Sequence, residues 1–251
     1  MLQGNRIFVV VPAKNESGWI GGVLRSMPAF VDSVVVVDDG STDTTAALAR
    51  DAGASVLVHE KSRGVGAAII SGYVAALAAG ADVVAVMAGD GQMCPDDLEA
   101  LLVPVVRGEA DYTKGNRFDH PDVKHVMPNA RRRVGRVLSR LTGLAVGLPN
   151  LSDSQSGYTA ISRRAIEAID LGKVWQGYGY PNDLLGHLCR AGMRVRDVRV
   201  RPVYRGEASG LRARHVIVIA GLIAKAAVLR AVTPSSVASS RLDAPAAPTA
   251  P

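Results

Sequence analysis

The sequence predicts an α/β domain with a mostly parallel sheet and helices on both of its faces, and three observations support this. The first half alternates short β-branched runs with helical stretches, a βαβαβαβ order that brings parallel strands together. The chain has 251 residues, long enough for one continuous core. Its 48% hydrophobic and 21% charged content lies far from the composition of disordered chains.

In chain order, residues 7–11, 34–37, 55–58 and 83–87 read as buried strands. Between and after them, residues 19–27, 44–52, 66–79 and 96–107 read as helices. The second half is less regular. It offers a basic helix over 129–144, a short strand over 158–161, a helix over 182–190 and a strand over 194–201. In that last segment Arg and Val alternate with period two, as on a half-exposed strand. Residues 215–232 turn apolar but are interrupted by Lys225 and Arg230, short of the roughly 20 uninterrupted apolar residues that span a bilayer. The stretch reads either as an amphipathic helix lying on anionic lipid or as a helix closing the core. The expected division is a catalytic-type domain over 1–214, this helix over 215–232, and an Ala/Pro/Ser-rich disordered tail over 233–251.

Net charge is +6, but it is unevenly placed: residues 1–123 carry nine Lys/Arg against sixteen Asp/Glu, and residues 124–251 carry twenty against seven. A basic half suits nucleic acid, an anionic membrane surface or a phosphorylated substrate. Nucleic acid is set aside, because the eleven aromatics are not interleaved with the arginines as base-stacking platforms. Cys94 and Cys189 stand far apart, which excludes a disulfide framework and a thiolate zinc cluster. The five histidines show no i, i+4 pairing. No signal-like segment precedes the first strand, so a cytoplasmic location is expected.

In open parallel sheets ligands bind beyond the carboxyl ends of the strands. Those ends carry Pro12-Ala13-Lys14-Asn15-Glu16, Asp38-Asp39-Gly40-Ser41-Thr42-Asp43 and Ala88-Gly89-Asp90-Gly91-Gln92. Ser41, Thr42 or Asp43 is expected to cap a helix. Asp38 and Asp39 must diverge, so one of them faces the crevice. The dinucleotide fingerprint and the P-loop are absent, and Gly64-Val65-Gly66 alone is weak. Gly206-Glu207-Ala208-Ser209-Gly210 places its serine one position late for a hydrolase elbow.

Six motifs in order resemble family 2 glycosyltransferases of the GT-A fold, a three-layer α/β sandwich, and within them the polyprenyl- or dolichyl-phosphate hexose synthases. They are Val-Pro-Ala-Lys-Asn-Glu (11–16), Val-Asp-Asp-Gly-Ser-Thr-Asp (37–43), Gly-Asp-Gly-Gln (89–92), Lys-Gly-Asn-Arg-Phe (114–118), Asp-Ser-Gln-Ser-Gly-Tyr (153–158) and Tyr-Pro-Asn-Asp (180–183). The resemblance runs from about Ile7 to Arg214.

The resemblance implies that Pro12, Asn15, Glu16, Asp39 and Gly64 hold the nucleotide. It implies that Asp90, with Gln92, holds Mg²⁺ or Mn²⁺ against the donor diphosphate. Here the first acid of the family's Asp-x-Asp is Ala88, which leaves metal dependence open, and Asp90 also reads as a cap before Pro95. Arg117, following a strand, is the expected acceptor-phosphate ligand, with Arg131 and Arg212 as further candidates, because guanidinium forks suit phosphate oxygens. Asp153, Ser156 and Gly157 match the sugar and acceptor pocket. Asp183 matches a general base that only a hydroxyl acceptor needs; otherwise it orients the sugar or caps a helix. The catalytic set implied is therefore Asp183, Arg117 and Asp153. Residues 206–212 match a mobile acceptor loop.

The function implied is inverting transfer of a hexosyl group from GDP-mannose, UDP-glucose or UDP-N-acetylglucosamine to a polyprenyl phosphate, by an enzyme peripheral on the inner face of the membrane. Two alternatives stand beside it. One is a soluble tailoring transferase acting on a hydroxyl of a small molecule, and the other is a nucleotide-sugar-binding protein that lost catalysis with the acid at position 88.

Overall fold

The computed structural model describes residues 1–204 and 213–232. The expectations for Arg212, for the 206–212 loop and for the tail over 233–251 fall outside the described residues.

The first half forms as expected: β1 (Ile7–Ala13), α1 (Ile20–Arg25), β2 (Ser33–Asp38), α2 (Thr45–Asp51), β3 (Ser55–Val58), α3 (Val65–Ala78), β4 (Val83–Val86) and α4 (Leu98–Val106). A single 3₁₀ turn over Pro95–Asp97 leads into α4, in place of the helix expected from residue 96. Then come β5 (Tyr112–Asn116), α5 (Val123–Val126), α6 (Asn129–Val146), β6 (Thr159–Ser162), α7 (Arg163–Glu167), α8 (Tyr180–Arg190), β7 (Val195–Arg199) and α9 (Ala213–Val232).

These strands make one seven-stranded sheet in the order β3-β2-β1-β4-β6-β5-β7. All run parallel except β6, which is antiparallel to both β4 and β5. Side chains alternate along β1. Ile7, Val9 and Val11 pack with Ile20, Leu98 and Leu102 of α1 and α4, whereas Phe8 and Val10 pack with Ala68, Ile69 and Tyr73 of α3. The result is three layers, with the carboxyl ends of β1, β2 and β4 opening on one rim.

Several expectations are corrected. Strand β5, the strand expected before Arg117, carries Lys114 and Asn116 yet is buried throughout, which a hydropathy reading does not anticipate. Helix α8 starts at Tyr180 with left-handed Gly179 (φ 96°) as its cap, so Asp183 lies in its first turn and does not cap it. Asp90 caps no helix either; its carboxylate accepts from the Gln92 amide at 2.9 Å. Capping near α2 falls to Asp43, whose Oδ1 accepts from the Thr45 amide at 2.9 Å.

Helix α9 has 20 residues, about 30 Å at 1.5 Å per residue. Its window His215–Val232 is long and apolar enough to cross a bilayer by length and composition, which corrects the expectation that it falls short. Only 17% of that window is buried against the domain.

Candidate active site

The rim is built by loops that brace one another. Asn15 adopts a left-handed backbone (φ 56°), a conformation that asparagine tolerates better than most residues. Its amide donates to Ser41 Oγ at 2.9 Å, and its side-chain oxygen accepts from the Thr42 amide at 2.8 Å. The Glu16 amide donates to Thr45 Oγ1 at 2.8 Å. Asn15 thus locks the loop after β1 to the loop after β2 and does not line the cavity itself. Gly40 (φ 73°) is required where the loop after β3 passes, since a Cβ there would lie 2.8 Å from the Ser62 amide nitrogen.

Between these loops opens a cavity of about 540 Å³. Its floor brings together Pro12, Glu16, Asp39, Gly64 and Asp90, five of the residues expected from the sequence, with Ala88 beside them. Asp38 turns away and accepts from the Ser41 amide at 2.7 Å. Asp39 is the one that faces the crevice. Burial alone would raise its carboxyl, but donors from the Arg63 amide, His59, Ser62 and the Gly64 amide outweigh this and hold it at about 2.

Two residues that the sequence reading missed complete the wall: Tyr178 and His215, whose rings stack at 4.3 Å with 12° between planes. Gly-Tyr-Gly over 177–179 was the available signal for the first. For His215 at the start of α9 there was none, because α9 reaches the rim only in three dimensions.

Tyr178 also walls a second, smaller pocket, lined by Arg117, Arg131, Phe118, Gln155 and Tyr204. The Arg117 guanidinium grips Asp153 through Nε (2.7 Å) and Nη2 (3.0 Å). Asp153 is fully buried, and burial opposes its charge, but Arg117 and Lys114 keep its carboxyl below the ordinary range. Arg117 has five donors and spends two on Asp153, so its remaining edge is available to an anion in the pocket. Arg131 lies 4.8 Å above the Tyr204 ring. The Tyr204 hydroxyl is buried and has no partner among the described residues. An oxyanion held between Arg117 and Arg131 fits this arrangement.

Lys114, wholly buried, donates to the Ser156 carbonyl, and burial pushes its ammonium down to about 8 against the pull of Asp153 and Asp197. Through this contact it fixes the 153–157 segment. Gly157 lies beside Met93 and near the Tyr180 hydroxyl. Asp153 is therefore held against Arg117, whereas Ser156 and Gly157, expected at the sugar pocket, line neither cavity.

Asp183 lines none of these cavities. It is buried in α8, accepting from the Trp175 amide (2.8 Å) and from Lys225 Nζ (2.9 Å), with His187 Nε2 at 3.6 Å. Burial would raise it, yet His187, Lys225 and the Trp175 amide hold it at about 2. Such a carboxylate is a weak proton acceptor near neutral pH.

Among the described residues no group of three or more His, Cys, Asp or Glu side chains is placed to hold a metal ion. Asp90 faces the cavity with Gln92 next to it along the chain. One carboxylate fits a Mg²⁺ or Mn²⁺ ion whose remaining ligands come from substrate phosphates and water.

The family model described as Glycosyl transferase family 2 matches residues 8–170. A UDP-N-acetylglucosamine--dolichyl-phosphate N-acetylglucosaminyltransferase of Methanococcus voltae is 26% identical over 230 residues, spanning 84% of this chain and 91% of the relative. An undecaprenyl-phosphate mannosyltransferase of Micrococcus luteus is 33% identical over 209 residues, spanning 80% and 84%. Among solved structures, glucosyl-3-phosphoglycerate synthase of Mycobacterium tuberculosis in complex with Mn²⁺, uridine-diphosphate and glucosyl-3-phosphoglycerate matches with a TM-score of 0.68 at 22% identity. That match covers 93% of this chain and 82% of that one, and it shows the GT-A fold expected from the motifs.

Proposed function

We propose, from the premise that this chain belongs to glycosyl transferase family 2 and is a nucleotide-sugar-dependent glycosyltransferase, that it moves a hexosyl group to a polyprenyl phosphate with inversion. The observation that carries this reading is the adjacency of two pockets. The carboxylate-rimmed cavity fits a nucleotide sugar, and across Tyr178 lies a pocket with Arg117, Arg131 and a Tyr204 hydroxyl that has no partner among the described residues, which fits a phosphate. The relatives named for dolichyl- and undecaprenyl-phosphate support a lipid as the bearer of that phosphate.

In this reading Pro12, Glu16, Asp39 and Gly64 hold the nucleotide, which is GDP- or UDP-linked. Asn15 acts by fixing the loops around it. Arg117 and Arg131 hold the acceptor phosphate, and Asp153 fixes the Arg117 fork. A phosphate oxygen attacks the anomeric carbon in line, a new carbon–oxygen bond forms, and the bond to the diphosphate breaks with its electron pair leaving on the nucleotide. The attacking phosphate monoester is already anionic, so no general base is required. A Mg²⁺ or Mn²⁺ ion held by Asp90 and Gln92 would neutralise the departing diphosphate. The enzyme acts on the cytoplasmic face of the membrane as a peripheral protein, since α9, although long enough to span, is docked on the domain through buried Ile219, Leu222 and Ala226 and the Lys225–Asp183 pair.

Turnover of two substitutions separates this reading from hydroxyl transfer. Arg117→Ala is expected to lose about a hundredfold or more in kcat/KM toward a polyprenyl phosphate, and Asp183→Asn less than about tenfold. The reverse order, with Asp183→Asn nearly inactive, would move the assignment to a hydroxyl acceptor.

A further inference from the structure

Beyond the arginine pocket, α6 and α9 lie side by side and leave an apolar furrow of about 400 Å³ between them. Leu138, Leu141, Leu144 and Ala145 of α6 form one wall, and Ala220, Ala224 and Ala227 of α9, with the partly buried Ile223 at their side, form the other. The alanines are too short to fill the space opposite the leucines. Leu141 and Leu144 remain 48% and 63% exposed, an apolar surface that the described residues leave uncovered.

The furrow is built on two helices held in register and not on loops. Arg230 of α9 donates to the Leu144 carbonyl of α6 at 2.7 Å, and Lys225 ties α9 to buried Asp183 of the neighbouring α8 at 2.9 Å. Neither helix contains an Asp or Glu, while α6 alone carries five arginines.

The placement of the furrow gives it meaning. Leu138, only 6% exposed, walls both the furrow and the arginine pocket, just as Tyr178 walls both the arginine pocket and the nucleotide cavity. Carboxylate rim, arginines and apolar furrow therefore follow one another across shared side chains. An amphiphile with an anionic head and a hydrocarbon tail has the same order of chemistry.

We infer that this furrow holds the first isoprene units of the acceptor, with the acceptor's phosphate against Arg117 and Arg131; the inference rests on the polyprenyl-phosphate reading above. The chain enters past Leu138, lies between the leucines and the alanines, and continues outward beyond Leu144. Burial of its methyl and methylene groups then makes acceptor affinity rise with chain length until the furrow is full.

The test uses the full chain in detergent, a one-isoprene phosphate and a heptaprenyl phosphate as acceptors, and Ala224→Trp to fill the furrow. Ala224→Leu serves as a milder filler should the larger change unfold the protein. Val228→Trp, on an outward and 61% exposed position of the same helix, is the control. The wild type is expected to favour the longer acceptor by about tenfold or more in kcat/KM. Ala224→Trp is expected to abolish that preference by raising KM for the longer acceptor only, leaving kcat with the short acceptor unchanged, while Val228→Trp keeps the preference.

Use of both acceptors with the preference intact in the filled variants would overturn the furrow and leave the proposed function standing. A preference that appears only on anionic vesicles and follows Val228 would assign the face to the bilayer surface. A filled variant that changes from dimer to monomer with its preference intact would assign the face to a second copy of the chain. Either of these results overturns the inference. Use of neither phosphate by the wild type would overturn the proposed function itself, and the furrow with it.

Discussion

His59 Nδ1 stands 2.7 Å from Asp39 Oδ1, and on the other side of the ring Nε2 stands 3.0 Å from Ser71 Oγ. Asp39 is ionised at neutral pH and can only accept, so Nδ1 carries the proton of that contact. With Arg63 and Gly64 amides and the Ser62 hydroxyl, the carboxylate receives four donors from its own chain. A carboxylate offers about four acceptor positions.

A nucleobase N–H that binds Asp39 must displace one of those donors, and only the Ser62 hydroxyl can turn away without moving backbone or ring. Ser62→Ala is therefore expected to bind UDP or GDP as tightly as the wild type or more so. Asp39→Asn, which leaves several donors facing an amide, is expected to weaken binding by about tenfold or more. Titration calorimetry reads both, and weakening by Ser62→Ala would place the base elsewhere in the cavity.

The Lys225–Asp183 pair ties α9 to the domain. Lys225 is 43% exposed, which tempers its contribution, so Lys225→Met is expected to cost about 1–2 kcal/mol and to speed hydrogen exchange along α9. A double-mutant cycle with Asp183→Asn should return a coupling of about 1 kcal/mol. Strict additivity would mean that the pair contributes nothing to the docking of α9.

With Ala88 in place of the motif's first acid and Asp90 the carboxylate offered to the metal, Mn²⁺ should bind the free enzyme poorly and bind well only together with a nucleoside diphosphate. Electron paramagnetic resonance of Mn²⁺ with and without UDP or GDP reads this directly. Asp90→Asn should remove the nucleotide-dependent binding, and EDTA should lower turnover. Tight Mn²⁺ binding without nucleotide would contradict the assignment.

Asp197 accepts from the Ser152 amide at 2.7 Å through Oδ2, while its buried Oδ1 has no partner among the described residues. Burial pushes its carboxyl up to about 6. Between the ordinary value near 4 and 6, the folded chain keeps a proton that the unfolded chain has lost, so this group makes stability fall as pH rises through that window. Asp197→Asn should flatten the fall and melt no lower than the wild type at pH 7. Melting curves across pH 4–7 decide it, and an unchanged slope would assign the titration to another group.

The first half of the fold was legible because its strands are apolar runs separated by segments of helical length. The nucleotide rim was legible for the same reason: Pro12 closes β1, and Glu16, Asp39, Gly64 and Asp90 lie within a few residues of a strand end. Strand β5 was legible only as the strand before Arg117, because the hydrogen bonds of Lys114 to the Ser156 carbonyl and of Asn116 to Asp119 that accompany its burial leave no apolar run. Tyr178 and His215 were not, because their stacking depends on where α8 and α9 dock. Asp183 was legible as a motif residue, but its partners Lys225 and the Trp175 amide come from segments that spacing cannot bring together. Asn15 was expected at the nucleotide and is found bracing the loop that holds it.

Mass spectrometry of the products formed from a short-chain polyprenyl phosphate with GDP-mannose, UDP-glucose or UDP-N-acetylglucosamine, supplied separately, tests the central claim most directly. The account predicts a polyprenyl-phosphate hexose from one donor, and its loss in Arg117→Ala. Binding of the donors without any such product would contradict transfer to a lipid phosphate.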